Sequence, residues 1–144
     1  MDTEQLQQSR SLFVQGIGHF EAGQLDDARI CFEDALALAP GRPSVMLNLG
    51  VTHFHLGHWQ ESIPLLEQAG AAEPAQQSPW ACLGLAHEAL GQWQPAVDSL
   101  TKALSLTPDN ARLYLTRGRC RLRLNEVNLA MQDFDRAVMK DPTF

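Results

Sequence analysis

Residues 77–110 read QSPWACLGLAHEALGQWQPAVDSLTKALSLTPDN, and this stretch decides the fold. Small and apolar residues recur in it at helical spacing on both sides of Gly91. Gly91 stands where a helix would end in a left-handed cap, because glycine adopts that backbone conformation without steric cost. Pro108 then stops the second helix, since proline lacks a backbone donor and clashes with the preceding turn. The stretch therefore predicts a hairpin of two helices.

The same pattern returns at a fixed interval along the whole chain. Three columns of the repeat keep one residue type throughout, and they are Gly16, Gly50, Gly84 and Gly118; Pro40, Pro74, Pro108 and Pro142; and Ala35, Ala69, Ala103 and Ala137. Self-similarity at a fixed period, here about 34 residues, is the sequence signature of a repeat protein. We therefore divide the chain into an extension of the first helix, residues 1–8, and four repeats, residues 9–42, 43–76, 77–110 and 111–144.

The third repeat carries residues by which a known family is recognised, namely Trp80, Leu83, Gly84, Ala96, Leu100, Ala103 and Pro108. In these residues the chain resembles the tetratricopeptide repeat (TPR) family over almost its whole length. The resemblance implies an all-α fold, a right-handed α-solenoid of stacked antiparallel helix hairpins, the TPR superhelix. It also implies that the first helices line a concave groove in which such proteins bind protein segments. The motif is specific for the fold and much less specific for a function.

Composition and charge narrow the class of protein. The formal net charge is −6 and the pI about 5.2, which disfavours nucleic acid as a partner, because its binding needs a basic surface. We find no secretory signal and no run of about 18 apolar residues, so no membrane partner is expected. Three widely spaced cysteines fit a reduced, cytoplasmic setting. No GxSxG, HExxH or P-loop motif is present, and we therefore expect neither an enzyme nor a cofactor.

Residues 51–60, VTHFHLGHWQ, hold three of the five histidines and raise the question of a metal site. His53 shares its place in the repeat with His19 and His87, which favours packing between hairpins, with a hydrogen bond, over metal binding. His53 and His55 are two residues apart, so on a helix they point about 200° apart and cannot chelate one ion. No metal is therefore predicted. His55 stays a candidate contact for a partner.

The family geometry places recurring positions of each first helix on the concave face. In the first two repeats the candidate peptide-binding residues are Phe13, Ile17, Asn48, Val51, Phe54 and His55. An exposed apolar patch of this kind normally marks a binding site, so we expect it to hold apolar side chains of a partner. Asn48 would hydrogen-bond the backbone of the bound segment. Two alternatives stay open. In one, residues 1–8 fold over the patch and cover it; in the other, part of the patch belongs to the core.

The fourth repeat is the only net-basic one, with seven basic and four acidic residues. Arg112, Arg119 and Arg123 fall on the predicted concave face. Because arginine forks match carboxylates, they predict that the partner carries an acidic side chain or a C-terminal carboxylate. Arg117 stands where other repeats have leucine, and we expect it to be structural and paired with an acidic residue of the last helix. Arg121 takes the place of the histidines and is expected to be solvated.

Together these patterns predict a scaffold or adaptor that binds an extended or helical peptide, apolar with an acidic part, in its concave groove. Self-association is one alternative, because the last helix would offer an open apolar side to a second copy and make a homodimer. That side would consist of Met131, Phe134, Val138 and Met139. A further alternative is that the repeats form the N-terminal interaction domain of a larger protein, such as an enzyme. Nucleic-acid binding through the arginine-rich helix is a minor alternative that predicts steep salt dependence.

Overall fold

The computed structural model describes residues 2–144, which form eight α-helices and no strand. These residues divide into two units, one ending at Glu73 and the other comprising Pro74–Phe144. The helices of the first unit are α1 (Thr3–Glu21), α2 (Leu25–Leu38), α3 (Pro43–His55) and α4 (Trp59–Ala72). Those of the second unit are α5 (Gln77–Ala89), α6 (Trp93–Leu106), α7 (Ala111–Arg123) and α8 (Val127–Lys140). The predicted all-α class is confirmed.

Consecutive helices pack on one another within each unit. In the first unit α2 packs against both α1 and α3, and α4 packs against α3. In the second unit α6 packs against both α5 and α7, and α8 packs against α7. Turns of three residues join the two helices of each repeat, and so short a connection makes each pair an antiparallel hairpin. The hairpin predicted from the sequence is therefore present, with the odd-numbered helices as first helices and the even-numbered ones as second helices.

Each three-residue turn has its middle residue in the left-handed backbone region. The φ angles are 78° at Gly23, 80° at Gly57, 72° at Gly91 and 61° at Asn125. Glycine, and less readily asparagine, adopts this region at little cost. In the third repeat the Gln92 N–H donates to the His87 carbonyl at 2.9 Å, which satisfies one of the last carbonyls of α5. The left-handed cap predicted at Gly91 is confirmed, and the other three repeats have it at the equivalent residue.

Glycine in the first helix lets the two helices of a hairpin come close together. A Cβ atom added to Gly16 would lie 2.5 Å from the ring of Phe32, and one added to Gly118 would lie 2.5 Å from the ring of Phe134. At the same repeat position, Gly50 lies against Leu66 and Gly84 lies against Leu100. The large residue of the second helix fills the space that the missing side chain leaves. Phe134 therefore packs inside its own hairpin but stays partly exposed on the last helix.

The core of each unit comes from both helices of its hairpins. The buried residues that pack together include Ala28, Phe32 and Leu49 in the first unit and Leu100, Ala103, Leu104 and Leu113 in the second. Phe32 and Leu100 have no exposed surface. Across residues 2–144, no helix combines the length and the hydropathy that crossing a bilayer requires. Each first helix also has residues that face solvent.

Candidate functional site

The apolar residues predicted to line the groove in the first unit are only partly exposed. Phe13 and Ile17 of α1 pack against the buried cluster that contains Phe32, and the rings of Phe13 and Phe32 lie 5.8 Å apart. Val51 and Phe54 of α3 are also partly buried. Of the alternatives left open by the sequence, part of the patch does belong to the core. Phe13 and Ile17 thus have a packing role, whatever else they contact.

His55 lies between two aromatic rings at the end of α3. Its ring centroid is 5.7 Å from that of Phe20 and 5.4 Å from that of Phe54, both in edge-on geometry. Such pairs add to the energy of burial. We call Phe20, Phe54 and His55 the aromatic group. It unites two predicted site residues and adds Phe20 of α1, which holds the same place in its repeat as Phe54.

Asn48 uses part of its amide within its own helix. The side-chain nitrogen donates to the carbonyl of Ser44 at 2.8 Å, one turn earlier in α3. The residue is partly buried. Its side-chain oxygen can still accept a hydrogen bond, and the second hydrogen of its amide nitrogen can still donate one, so the predicted role is compatible with this geometry.

The recurring histidines make hydrogen bonds across the turn of their own hairpin. His19 Nδ1 lies 2.7 Å from Gln24 Oε1, and His87 Nδ1 lies 2.6 Å from Gln92 Oε1. His53 differs, because its Nδ1 lies 3.2 Å from Nδ1 of His58. The expected hydrogen bond is therefore present, but its partner lies in the turn and not in the neighbouring hairpin. Within residues 2–144 no three His, Cys, Asp or Glu side chains come together as metal ligands.

The environment of His53 disfavours its charged form. Partial burial, and next the nearby imidazole of His58, lower its pKa below the usual value of 6.5. Glu33 and Glu61 act in the opposite direction, and Arg29 adds to the lowering. His53 is thus held neutral to lower pH than an exposed histidine.

Two of the three predicted arginines in the second unit meet at one cavity. Arg119 and Arg123 of α7 line it together with Glu88, Ala89 and Trp93, and its volume is about 330 Å³. We call these five residues the arginine pocket. Both arginines are exposed. The pocket therefore brings arginine forks, one carboxylate and an indole ring to the ends of α5 and α7 and the start of α6.

Arg112 does not belong to that cavity. It lies near the start of α7 and is exposed, and its carbonyl accepts a hydrogen bond from the hydroxyl of Thr116 at 2.9 Å. Glu88 and Trp93, which do line the cavity, were not among the predicted binding residues. For Glu88 the register was a signal, since it occupies the same repeat position as Phe20 and Phe54 on the predicted concave face.

A buried ion-pair network accounts for the other arginines of α7. Asp133 of α8 is fully buried and accepts two hydrogen bonds from Arg117, at 2.7 and 3.0 Å. Arg117 also donates to the hydroxyl of Thr101 at 3.2 Å, which agrees with its predicted structural role. Arg121 donates to Asp133 at 2.8 Å, so the expectation that it is solvated was wrong. The carboxylate draws both cations inward, because a buried charge needs paired hydrogen bonds.

The cysteines of the second unit have no features of reactive thiols. Burial raises the pKa of the Cys82 thiol to about 12 and that of Cys120 to about 11. Because the thiolate is the nucleophilic form, thiols with such values are inert at neutral pH.

Comparison with solved structures finds the same fold elsewhere. MamA MSR-1 superposes with a TM-score of 0.87 at 24% identity, over 94% of this chain and 78% of that one. MamA from Desulfovibrio magneticus RS-1 gives 0.87 at 22% identity, over 94% and 76%. MamA AMB-1 gives 0.85 at 26% identity, over 90% and 76%. The chain matches no curated protein by sequence.

Family models agree with the structural comparison. One model described as tetratricopeptide repeat matches residues 19–86, and a second with the same description matches residues 83–143. The two matches meet within the third repeat and together span all four repeats except the start of the first. The chain therefore belongs to the tetratricopeptide repeat family.

Proposed function

We propose that this chain is a scaffold or adaptor that binds an extended or helical segment of a partner protein on the first helices of its repeats. Membership of a family of protein-interaction repeats supports an interaction scaffold in general. The repeats of this family are in general not enzymes. The single observation that carries the proposal further is the contrast between the two units, whose first helices present different chemistry at equivalent repeat positions.

In the first unit the proposed contact surface is the aromatic group with Val51. His55 is exposed and its ring touches both phenylalanines, so a side chain that docks there meets three flat surfaces. Aromatic residues are enriched where binding energy concentrates in protein interfaces. This surface suits apolar side chains of the partner.

In the second unit the proposed contact surface is the arginine pocket. It holds two arginine side chains against one carboxylate, so its formal charge is positive although the chain as a whole carries −6. A positive site on an acidic protein favours an acidic partner group by local complementarity. Arg112, exposed on the same helix, is proposed to add to the attraction at longer range.

Selection of peptides from a displayed random library on the whole chain would test the proposal. We expect binders that combine apolar residues with an acidic residue or a free C-terminus. The affinity of one such peptide is then measured by fluorescence anisotropy for the chain and for His55→Ala and Arg123→Glu. Each substitution should weaken binding about five-fold or more, the size expected for losing a good interface contact.

The matched controls for those substitutions are Gln60→Ala on α4 and Lys102→Glu on α6. Both residues are exposed and lie on second helices, and Lys102→Glu makes the same charge change as Arg123→Glu. The controls should bind as the unchanged chain does. No selected binders, or equal loss in the controls and the site variants, would contradict the proposal.

A second candidate function is self-association through α8. Met131 and Val138 are 52% and 51% exposed, whereas Val97 and Leu104, their counterparts one repeat earlier on α6, are 6% and 5% exposed. On α6 these positions lie in clusters that include residues of α7. On α8 a second copy is proposed to cover them. The helix also carries Asp135, Arg136 and Lys140, and a self-complementary pair of helices can match such opposite charges.

Sedimentation velocity over a range of micromolar concentrations tests this second candidate. The dimer idea predicts a concentration-dependent sedimentation coefficient that Met131→Glu abolishes and Gln132→Glu, its exposed neighbour on the same helix, leaves unchanged. A monomer at every concentration would remove it.

A further inference from the structure

The chain carries its own carboxylate in the arginine pocket. Arg119 donates from Nε and Nη2 to Glu88, with three nitrogen–oxygen distances of 3.1 to 3.3 Å. This is the two-point geometry in which an arginine fork recognises a carboxylate. The side chains are 52% and 22% exposed, so the pair is held at the surface and a competing group can reach it.

Arg123 has no such internal partner. Its guanidinium lies over the indole ring of Trp93, with 5.3 Å between Cζ and the ring centroid. A ring face attracts the cation but offers no oxygen acceptor to its N–H groups. Among residues 2–144 the Arg123 side chain makes no hydrogen bond or ion pair, so its donors are left to water or to a ligand.

The size and lining of the cavity limit what fits beside Arg123. About 330 Å³ is at the low end of the range of roughly 300–1,000 Å³ that small-molecule sites occupy, so one residue-sized group fills it. Ala89 and Trp93 supply apolar wall, while Glu88 and the two arginines supply the polar rim. A complementary group therefore has one carboxylate next to one flat apolar side chain.

We propose that the arginine pocket is a carboxylate subsite, in which Arg123 receives the carboxylate of a partner, Trp93 packs against an adjoining apolar group, and Glu88 competes for Arg119. This inference rests on the proposed function and names the part of the partner that the second unit recognises. The carboxylate is either the C-terminus of the segment or an acidic side chain, since both present the same two oxygens.

The equivalent repeat positions in the first unit support this assignment. The places of Glu88, Arg119 and Arg123 are taken there by Phe20, Val51 and His55. No formal charge of either sign stands at these three places with His neutral. The first unit thus provides an internal comparison, because its equivalent positions lack the arginines and the carboxylate of the arginine pocket.

Nuclear magnetic resonance of the indole N–H groups tests the inference. The chain has three tryptophans, whose signals are assigned with single Trp→Phe variants. Three probes are titrated: N-acetylphenylalanine, with a free carboxylate; N-acetylphenylalanine amide, its neutral analogue; and N-acetylglutamyl-phenylalanine amide, with a side-chain carboxylate. We expect a carboxylate probe to shift the Trp93 signal and to bind at least about three-fold more tightly than the amide, in the range of a partly exposed ion pair.

Variants assign the effect to individual residues. Arg123→Gln should abolish the preference for the carboxylate, whereas Arg112→Gln, an exposed arginine of the same helix outside the cavity, should keep it. Glu88→Gln should raise carboxylate affinity, because it removes the internal competitor and frees Arg119. A gain of binding cannot come from partial unfolding, so this variant protects the test against simple loss of structure.

The outcomes separate the two sources and the two proposals. A Trp93 shift with the first probe alone identifies a C-terminal carboxylate, and a shift with the glutamyl probe identifies an acidic side chain. If the neutral amide binds as tightly as the carboxylate probes, the proposed subsite is wrong. The same holds if Arg112→Gln loses the preference for the carboxylate as fully as Arg123→Gln does. If selected peptides bind the chain but no carboxylate probe moves Trp93, the subsite fails and the proposed function stands. If the probes move Trp93 but no peptide binds, the proposed function fails.

Discussion

One missing methyl group sets how closely the helices of a hairpin pack. Gly16 and Gly18 lie on the same helix, two residues apart, yet their surroundings differ. A Cβ atom at Gly16 would meet three atoms of the Phe32 ring at 2.5 to 3.0 Å, whereas a Cβ atom at Gly18 would meet nothing within 4 Å. The glycine column is therefore a packing requirement at Gly16 and not a general property of the helix.

Replacing these two glycines by alanine separates packing from helix propensity. Gly16→Ala forces the buried Phe32 ring or the helix to move, and we expect it to lower the free energy of unfolding by about 1 to 3 kcal/mol. Gly18→Ala should leave stability unchanged or raise it by up to about 1 kcal/mol, because alanine favours the helix. Urea denaturation measures both values. Equal effects at the two sites would contradict the packing account.

The imidazole pair of the second repeat predicts a pH effect. Because the pKa of His53 is lowered in the folded state, that state binds fewer protons than the unfolded chain below about pH 6.5. Neutral His53 therefore causes no loss of stability above this pH, and the folded state loses stability as the pH falls from 6.5 toward the pKa of His53 in the folded state. Thermal unfolding at about pH 7.5 and 5.5 should therefore show lower stability in acid.

His58→Gln is the matched variant for that effect. It recreates the histidine–glutamine pair of the first and third repeats and removes the second largest cause of the lowered pKa. Burial remains, so we expect a smaller loss of stability in acid and not a complete rescue. If the variant loses at least as much stability as the unchanged chain, the imidazole pair does not produce the effect.

At the scale of the helix, α7 and α8 are joined by a network that the other hairpins lack. Arg117 replaces Leu49 and Leu83 of earlier repeats, and Asp133 on α8 pairs with both Arg117 and Arg121. Where the fourth repeat has arginine in place of leucine, the second helix of the same hairpin therefore supplies a buried carboxylate, Asp133, to pair with it. Removing one partner of such a network costs more than the network contributes, because the remaining charges stay buried.

Asp133→Asn tests that helix pairing. It keeps the shape of the side chain but leaves two arginines without a counter-charge, and we expect a loss of about 3 to 5 kcal/mol in unfolding free energy. The control is Asp135→Asn, an exposed aspartate two residues along α8, which should change stability by less than about 0.5 kcal/mol. Arg117→Leu should cost less than Asp133→Asn, because Arg121 still pairs with Asp133. Similar losses for the two aspartates would contradict the network.

At the scale of the whole molecule, the repeat period was enough to predict the helices, hairpins and left-handed caps. Each of these follows from local chemistry, such as glycine at a positive φ or proline after a helix. The site was predicted less completely. Arg119 and Arg123 were identified from charge and register, and the register also marks Glu88, but Trp93 was not identified, because its approach to Arg123 depends on how α6 packs against α7. Arg121 was misplaced because its partner, the buried Asp133, lies on the other helix of the same hairpin, and the pairing depends on how α7 and α8 pack.

The first helices are proposed to bind a partner segment. The most direct test is to map the amide shifts of the isotopically labelled chain when a selected peptide is added. We predict that the largest changes fall on the odd-numbered helices and on Trp93 at the start of α6, at the aromatic group in the first unit and the arginine pocket in the second. Changes concentrated on α2, α4, α8 or the part of α6 after Trp93 would contradict this proposal.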